Sequence, residues 1–328
     1  SKSETERLFA NIKTLRQKGI SIIYISHHLQ EIFDIADRVT VLKDGKYVDT
    51  VEVSKVDEKK LVSLMVGREV SHKYIKREKI DKKSVLFRVE KLNHDKLFKD
   101  ISFELHPGEI IGFAGLVGSG RTELAKSIFG LFKIQSGKIY LEGQEVSINS
   151  PVEAMEKGIV YTSEDRKEEG LFLTMDVRSN CTVTQLKKFV QGKVLGLLNE
   201  KKISSYSEEL VRKFNVNTPS IRQTLRNLSG GNQQKVLLSM WLGINPKVII
   251  VDEPTKGIDV GAKSEIYDIL RQLADTGVGI IVISSELLGI LAISDRIFVM
   301  RKGKIIGSLN NDEANERNVV EYATGVEE

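Results

Sequence analysis

Two short segments of this sequence combine residue types that suit the binding of phosphate. Residues 115–122 read GLVGSGRT and lie between an apolar run and a predicted helix. Residues 228–235 read LSGGNQQK and place a serine and two glycines just ahead of a second helix. Unpaired backbone N–H groups and the positive end of the helix dipole favour phosphate oxygens at such positions. The candidate phosphate-binding residues are therefore Gly115, Gly118, Ser119, Gly120 and Arg121 in the first segment, and Ser229, Gly230 and Gly231 in the second.

A second group of residues could bring a metal ion and an attacking water to the phosphate. The four apolar residues 248–251 predict a buried parallel strand, which delivers Asp252 and Glu253 to a sheet edge. Thr122 and Asp252 offer hydroxyl and carboxylate oxygens, which are the ligands that Mg²⁺ prefers. Glu253 is the candidate catalytic base or water-positioning residue for attack on a terminal phosphate.

The three motifs, in this order, resemble those of ATP-binding-cassette (ABC) ATPases. Residues 115–122 resemble the Walker A loop, residues 228–235 the signature, and residues 248–253 the Walker B strand. The resemblance implies an α/β fold: a P-loop NTPase core with a mixed, mostly parallel sheet, an antiparallel β subdomain and an inserted α-helical subdomain. It also implies ATP and Mg²⁺ as ligands.

Three residues depart from the pattern of that family, and all three are expected to face one nucleotide. Arg121 replaces the usual lysine, Glu164 replaces a glutamine that contacts metal and water, and Ser285 replaces a histidine beside the γ-phosphate. A guanidinium is planar and bulky where lysine is a compact point charge, and serine cannot supply an imidazole. We therefore expect a site that still binds nucleotide but no longer hydrolyses it.

An internal repeat indicates that the chain holds parts of two cassettes. Residues 19–46 align without a gap to residues 277–304, and both copies predict a helix, a buried strand, a short helix and a strand hairpin. His27 stands opposite Ser285, so the histidine that the second copy lacks is present in the first. This alignment predicts a C-terminal remnant of a first cassette at 1–70, a linker at 71–84, and a second cassette at 85–328 with its helical subdomain at about 166–244.

Composition argues against several other classes of protein. The 328 residues carry a formal net charge of only +4 with bases and acids interspersed, which gives no electrostatic reason for a nucleic-acid partner. The single Cys181 cannot form an internal disulfide, and no apolar run approaches the length needed to span a bilayer. Cassette ATPases acting on ribosomes or DNA are expected to carry a basic arm or a long heptad insertion, and neither pattern is present.

Residues 163–166 (SEDR) and the signature together resemble the ATP-binding subunits of monosaccharide importers of the ribose, galactose and xylose type. In that family two cassettes face each other head to tail, so each ATP lies between the Walker A loop of one cassette and the signature of the other. The resemblance implies that His27 and the signature serine and glycines serve one site. The degenerate Walker A loop then serves the other site.

The same resemblance implies partners and a location. The partners are a membrane permease docked near the segment after Glu164, the other cassette, and a periplasmic or extracellular sugar-binding protein. The implied location is the cytoplasmic face of the membrane. A regulatory nucleotide-binding cassette and a nucleoside importer are alternatives that the residues leave open. His94 and Phe98 are the candidates for stacking on adenine.

Overall fold

The structure is a computed structural model that describes residues 2–26, 29–43, 45–66, 80, 83–191 and 196–325. The chain divides into two compact units. The first comprises Ser1–Ser71 with Asp259–Ser264, and the second comprises His72–Ile258 with Glu265–Glu328. Most of the predicted linker lies outside the described residues.

The first unit is built from three helices and one antiparallel hairpin within its described residues. A small apolar core joins one helix, the hairpin and the last helix through Leu29, Val39, Val41, Leu61 and Val62, all of them buried. The elements are α1 (Lys2–Gln17), α2 (Leu29–Ile35), β1 (Arg38–Lys43), β2 (Lys46–Glu52), a 3₁₀ turn (Val53–Lys55) and α3 (Glu58–Val66).

The second unit contains a mostly parallel central sheet and a separate antiparallel sheet. Its strands are β3 (Phe87–His94), β4 (Phe98–Leu105), β5 (Ile110–Ala114), β6 (Ser136–Leu141), β7 (Gln144–Val146), β8 (Ile159–Thr162), β9 (Val190–Gln191), β10 (Leu197–Leu198), β11 (Val248–Asp252), β12 (Gly279–Ile283), β13 (Arg296–Arg301) and β14 (Lys304–Asn310). The central sheet has the order β14-β13-β5-β12-β11-β8, and only β14 pairs antiparallel. The antiparallel sheet has the order β4-β3-β6-β7.

Eight helices accompany these strands among the described residues, and one of them begins in the first unit. They are α4 (Arg121–Ile128), α5 (Pro151–Glu156), α6 (Val177–Thr182), α7 (Glu200–Lys213), α8 (Gly230–Leu242), α9 (Val260–Asp275), α10 (Leu287–Ile293) and α11 (Glu316–Thr324). Shorter turns are the π-helical turn Arg166–Gly170 and the 3₁₀ segments Val183–Phe189 and Leu225–Asn227. The segment between β8 and β11 is mainly helical as predicted, although the sequence did not predict the small β9-β10 hairpin within it.

Three aromatic rings join the two sheets and fix the strand that leads into the glycine-rich loop. The ring of Phe113 on β5 lies 5.2 Å from that of Phe103 on β4 and 5.4 Å from that of Phe298 on β13. Contacts of this kind add about 0.5–1.5 kcal/mol each beyond the area they bury. The end of β5, where the loop begins, is therefore held from both sides.

The internal repeat is visible in the structure on both sides of the predicted buried strand. In both copies the helix and the two strands begin and end at aligned positions: α2 with α10, β1 with β13 and β2 with β14. Each hairpin also carries an irregularity at the aligned place, between Val41 and Leu42 in the first and between Val299 and Met300 in the second. The predicted helix, short helix and hairpin are thus found in both copies.

The predicted buried strand of the first copy is wrong. Residues 20–26 form no strand, and the side chains of Ile23 and Ile25 are 92% and 93% exposed. The aligned strand of the second copy, β12, is fully buried because it lies between β5 and β11 and pairs with both. A strand needs neighbours for its backbone hydrogen bonds. Among the described residues of the first unit, the only sheet is the β1-β2 hairpin.

None of the described helices is both long and apolar enough to cross a bilayer.

Candidate nucleotide site

The glycine-rich loop joins β5 to α4 in a conformation that requires glycine. Gly120 caps α4 with φ +99°, and a Cβ there would lie 3.0 Å from the carbonyl oxygen of Leu97 and 3.3 Å from the Cα of Gly303. The Ser119 carbonyl accepts a hydrogen bond from the Gly303 N–H at 2.9 Å. Gly118 is exposed with φ +80°, and Gly115 lies where β5 ends. The loop therefore needs glycine where it packs against residues 97 and 303, and it leads directly into the first turn of α4.

One polar atom of this loop is left unsatisfied. Ser119 is 5% exposed, and its Oγ has no hydrogen-bond partner in the described parts of the chain. Buried hydroxyl groups are normally paired, so an orphaned one beside bare helix N–H groups marks a place for an external acceptor. A phosphate oxygen has that chemistry.

Arg121 points into the fold from the first position of α4. Its side chain is 7% exposed, and its Nη1 donates to the carbonyl oxygen of Ser284 at 2.5 Å, with a longer contact of 3.5 Å to that of Phe113. Burial lowers the pKa of Arg121, while Glu253 and Asp252 act in the opposite direction. The guanidinium thus braces the ends of two strands, and in this conformation it does not extend toward the loop.

Asp252 and Thr122 offer oxygens of the kind that Mg²⁺ selects. Asp252 is 1% exposed; its Oδ2 accepts from the Tyr161 hydroxyl at 3.1 Å, and its Oδ1 has no hydrogen-bond partner within the described residues. Burial raises the pKa of Asp252 to about 6, and the hydroxyls of Thr122 and Tyr161 act against that rise. A buried, orphaned carboxylate oxygen beside a threonine hydroxyl fits a hard divalent cation.

This group is too small to hold a metal without help from a ligand. No cluster of three or more His, Cys, Asp or Glu side chains arranged for a metal occurs in the described part of the chain. Mg²⁺ at nucleotide sites is held by one or two protein groups together with phosphate oxygens and water. The residues present therefore fit Mg²⁺ that arrives with a nucleotide.

Glu253 is held on both of its carboxylate oxygens by the segment that follows β12. Its Oε2 accepts from the Ser284 hydroxyl at 3.0 Å, and its Oε1 accepts from the Ser285 N–H at 2.5 Å. The Glu253 backbone has φ +46°, which is uncommon for a residue other than glycine, and its N–H donates to the Ile283 carbonyl at 2.8 Å. The carboxylate is therefore well fixed, and both of its oxygens already accept hydrogen bonds.

Glu164 lies after β8 with an exposed carboxylate. Its Oε2 is 3.5 Å from the Nζ of Lys256, which belongs to the turn after Glu253. An exposed ion pair of this length contributes about 0–1 kcal/mol. The pair brings the segment after β8 near the segment after β11.

The signature begins α8 and is ordered largely by its own polar side chains. The Ser229 Oγ accepts from the Asn232 N–H at 3.4 Å and from its side-chain amide at 2.9 Å. Gly230 and Gly231 form the first turn of the helix. Gln233 is buried and donates to the carbonyl oxygens of Leu225 and Leu228, so it supports the fold. In the part of the chain that the structure describes, no hydrogen bond or ion pair joins the signature to residues 115–122.

The two candidates for adenine stacking differ in their burial. Phe98 is 3% exposed and packs in the core, so its ring faces are not available. His94 is half-buried and lines an open cavity of about 430 Å³ together with Leu97 and Lys302. Leu97 contacts the glycine-rich loop, and so does Gly303, which follows Lys302 in the chain. This cavity therefore adjoins the candidate phosphate site.

The predicted catalytic residue His27 lies outside the described residues.

Sequence reasoning missed three residues of the site: Tyr161, Ser284 and Lys256. Tyr161 hydrogen-bonds Asp252, Ser284 hydrogen-bonds Glu253, and Lys256 pairs with Glu164. The only signal in the sequence was the phenol of Tyr161 within an otherwise apolar run, because a buried tyrosine hydroxyl needs a partner.

The chain is similar to known cassette proteins in sequence. The sequence model of the ABC transporter family matches residues 98–256. The ribose import ATP-binding protein RbsA of Clostridium tetani is 48% identical over 320 residues, which are 98% of this chain and 63% of that protein. The putative ribose/galactose/methyl galactoside import ATP-binding protein of Halalkalibacterium halodurans is 44% identical, with coverage of 99% of this chain and 62% of that protein. The chain thus spans less than two thirds of the length of these relatives.

Solved structures give the same fold. A nucleotide-free ATP-binding cassette from an ABC transporter superposes with a TM-score of 0.63 at 23% identity, covering 74% of this chain and all of that chain. An ATP-binding cassette in its ADP conformation superposes with a TM-score of 0.61 at 23% identity, covering 74% and 99%. The chain therefore has the fold of an ATP-binding cassette, the α/β P-loop NTPase fold that the sequence predicted. In sequence the chain is similar to ATP-binding proteins that are named for the import of ribose or galactose.

Proposed function

We propose that this chain is the C-terminal part of an ATP-hydrolysing subunit that energises a monosaccharide importer. The observation that carries the proposal is the Asp252 carboxylate, buried with one orphaned oxygen beside the Thr122 hydroxyl and near a glycine-rich helix N-terminus. The names and the 44–49% identities of the relatives support the import of ribose or a similar sugar. The partners are a membrane permease, a first cassette and, through the permease, an external sugar-binding protein. The chain would then work at the cytoplasmic face of the membrane.

Nucleotide would bind with its phosphates against residues 115–122. The backbone N–H groups at the start of α4 and the Ser119 hydroxyl would hold the phosphate oxygens. Thr122 and Asp252 would hold Mg²⁺, which when bound neutralises charge on those oxygens. His94 would lie beside the base in the adjoining cavity.

We further propose that this nucleotide site is degenerate. The Arg121 guanidinium donates a hydrogen bond to the Ser284 carbonyl oxygen, whereas a P-loop lysine reaches the β and γ phosphates as a point charge. Both oxygens of Glu253 accept hydrogen bonds from the segment after β12, so their lone pairs are less available for orienting a water. Glu164 adds a negative charge where an amide is usual. Each of the three features disfavours turnover while leaving the helix N-terminus free for binding.

The signature would serve the other site of the assembled protein. Ser229 is exposed at the tip of α8, and its hydroxyl, with the N–H groups of the first helical turn, could meet a γ-phosphate held by the first cassette. His27 would act at that same site. In this arrangement the chain contributes binding groups to one ATP and electrostatic and acid-base groups to another.

A purely regulatory nucleotide-binding cassette is the second candidate, and the two hydrogen bonds that occupy Glu253 favour it. The two functions differ in what the signature does. A regulatory module needs nucleotide at residues 115–122 and makes no contribution to turnover through Ser229.

The deciding experiment measures ATPase rates of the full-length subunit in complex with its permease. His27→Ala and Ser229→Ala are expected to slow turnover by about 10²-fold or more, as when an acid-base or oxyanion group is lost. Glu253→Gln is expected to change the rate only slightly. Ser308→Ala, an exposed serine on β14, is the matched control for loss of a hydroxyl.

Two outcomes contradict parts of this proposal. If Glu253→Gln abolishes turnover while His27→Ala leaves it intact, the active and degenerate sites must be exchanged. If Ser229→Ala has no effect while nucleotide at residues 115–122 still alters the rate, the regulatory function is the correct one.

A further inference from the structure

A buried arginine is hydrogen-bonded to the main chain of the turn that follows Walker B. Arg166 is 9% exposed, its Nη1 donates to the Lys256 carbonyl at 2.6 Å, and its Nη2 donates to the Gly257 carbonyl at 3.1 Å. Lys256 in turn donates its N–H to the Glu253 carbonyl at 3.1 Å. A guanidinium offers donors in a rigid fork, so two adjacent carbonyls are held in one geometry.

The same arginine packs against the first turn of the signature helix. A Cβ added to Gly230 would lie 2.7 Å from the Nη2 of Arg166 and 2.9 Å from the Gly257 carbonyl oxygen. Neither atom can easily move away, since the two are hydrogen-bonded to each other. The glycine therefore permits a close approach between the signature and the turn after Walker B, with the arginine between them.

The turn that carries Arg166 is itself anchored to the helix of the glycine-rich loop. The Asp165 side chain caps this turn by accepting from the N–H groups of Lys167 and Glu168, both at 3.1 Å. Glu169 accepts from the Ser163 hydroxyl and pairs with Lys126 of α4 at 3.3 Å. The turn that carries Arg166 is thus joined to α4 by the ion pair between Glu169 and Lys126.

We propose that Arg166 is a positioning residue that couples the turn after Walker B to the signature of the same cassette. Among the described residues, no hydrogen bond or ion pair joins it to the glycine-rich loop or to Asp252. Its action is to keep the turn at residues 256–257 in register with the start of α8, so that Ser229 is presented to the partner cassette in one geometry. The consequence for turnover rests on the proposed function, whereas the coupling itself does not.

The first test measures amide hydrogen exchange in this chain without nucleotide. Arg166→Met keeps the aliphatic stem and removes both hydrogen bonds. It is expected to speed exchange about tenfold or more in peptides covering 254–259 and 229–232, because two charge-assisted hydrogen bonds are lost. Peptides from β11 and β12 are expected to be unchanged. Arg166→Lys is expected to be intermediate, since an ammonium cannot reproduce the fork.

The matched control is Lys167→Met, which removes a neighbouring exposed cation from the same turn. Its exchange is expected to equal that of the unsubstituted chain. The proposal is overturned if Arg166→Met leaves both peptides within about twofold of the control, or if it speeds exchange to a similar degree throughout the second unit.

The second test separates kcat from KM in the full-length subunit with its permease. Arg166→Met is expected to lower kcat about tenfold with KM for ATP within about threefold, because the guanidinium is bound to the carbonyl oxygens of Lys256 and Gly257 and its proposed action is on geometry alone. Arg166→Lys is expected to recover part of kcat. A raised KM with unchanged kcat would overturn the coupling role. If the unsubstituted assembly has no ATPase activity, the proposed function fails, and the exchange measurement still decides whether Arg166 couples the two segments.

Discussion

The buried carboxylate of Asp252 should make the metal-free protein less stable as the pH rises. Asp252 is 1% exposed, and burial raises its pKa from an ordinary value of 3.8 to about 6. The folded protein therefore holds a proton at this position over a pH range in which the unfolded chain has released it. The stabilisation from that proton is fully present below the ordinary pKa and is lost as the pH rises through about 6.

The size of the effect follows from the shift. One pKa unit corresponds to about 1.4 kcal/mol, so a shift of roughly two units makes up to about 3 kcal/mol of unfolding free energy depend on pH. Asp252→Asn retains the shape of the side chain and cannot ionise. We expect this variant to be more stable than the unsubstituted chain by up to about 3 kcal/mol near pH 8, with the difference closing toward about pH 4.

Urea denaturation in the presence of a chelator, followed across this pH range, measures the difference directly. Asp312→Asn is the control, because it neutralises an exposed carboxylate of the same unit and should give a pH-independent difference near zero. Added Mg²⁺ and ATP should narrow the gap, since only the unsubstituted carboxylate can bind the metal. The reasoning is refuted if Asp252→Asn is no more stable than the unsubstituted chain near pH 8, or if its advantage does not vary with pH.

Three further outcomes are expected. Calorimetric titration with ATP and Mg²⁺ should show weak, saturable binding. Gly120→Val should lower the affinity about tenfold or more, because it adds backbone strain and a main-chain clash. Gly143→Val, at a position with φ +80° and open space around it, should bind normally. Phosphate release by this chain alone should stay at background and be unchanged by Glu253→Gln, because an incomplete site loses about 10²–10³ in rate or more; robust turnover abolished by that substitution would contradict the division of sites. Arg296→Leu should lower the free energy of unfolding in urea by about 3 kcal/mol or more, because the 1% exposed carboxylate of Glu109 loses its ion pair. A loss below about 1 kcal/mol would show that the pair contributes little to stability.

Local sequence patterns determined most of the elements that carry the site. The apolar run 248–251 became β11, buried between two parallel neighbours, and the glycine-rich segment 115–122 became the turn from β5 into α4. The repeat predicted a short helix and a strand hairpin in each copy, and the second copy has them as α10, β13 and β14. These features depend on periodicity, turn chemistry and helix capping, all of which act over a few residues.

Tertiary contacts decided what the side chains of the site do. Arg121 was identified from its position in the motif, yet only the fold brings its guanidinium to the Ser284 carbonyl, 163 residues away in sequence. The hydrogen bonds from Ser284 to Glu253 and from Tyr161 to Asp252 likewise join neighbouring strand ends that are distant in the chain. No local pattern encodes such pairs.

The same distinction explains the one predicted strand that did not form. Residues 20–26 carry the same apolar pattern as β12, but β12 is a strand because β5 and β11 accept and donate its hydrogen bonds. Apolar periodicity in the sequence determined which segments could be strands. Only the presence of neighbours in the tertiary structure decided which of them became strands, since a strand's backbone groups are satisfied by another strand and not by itself.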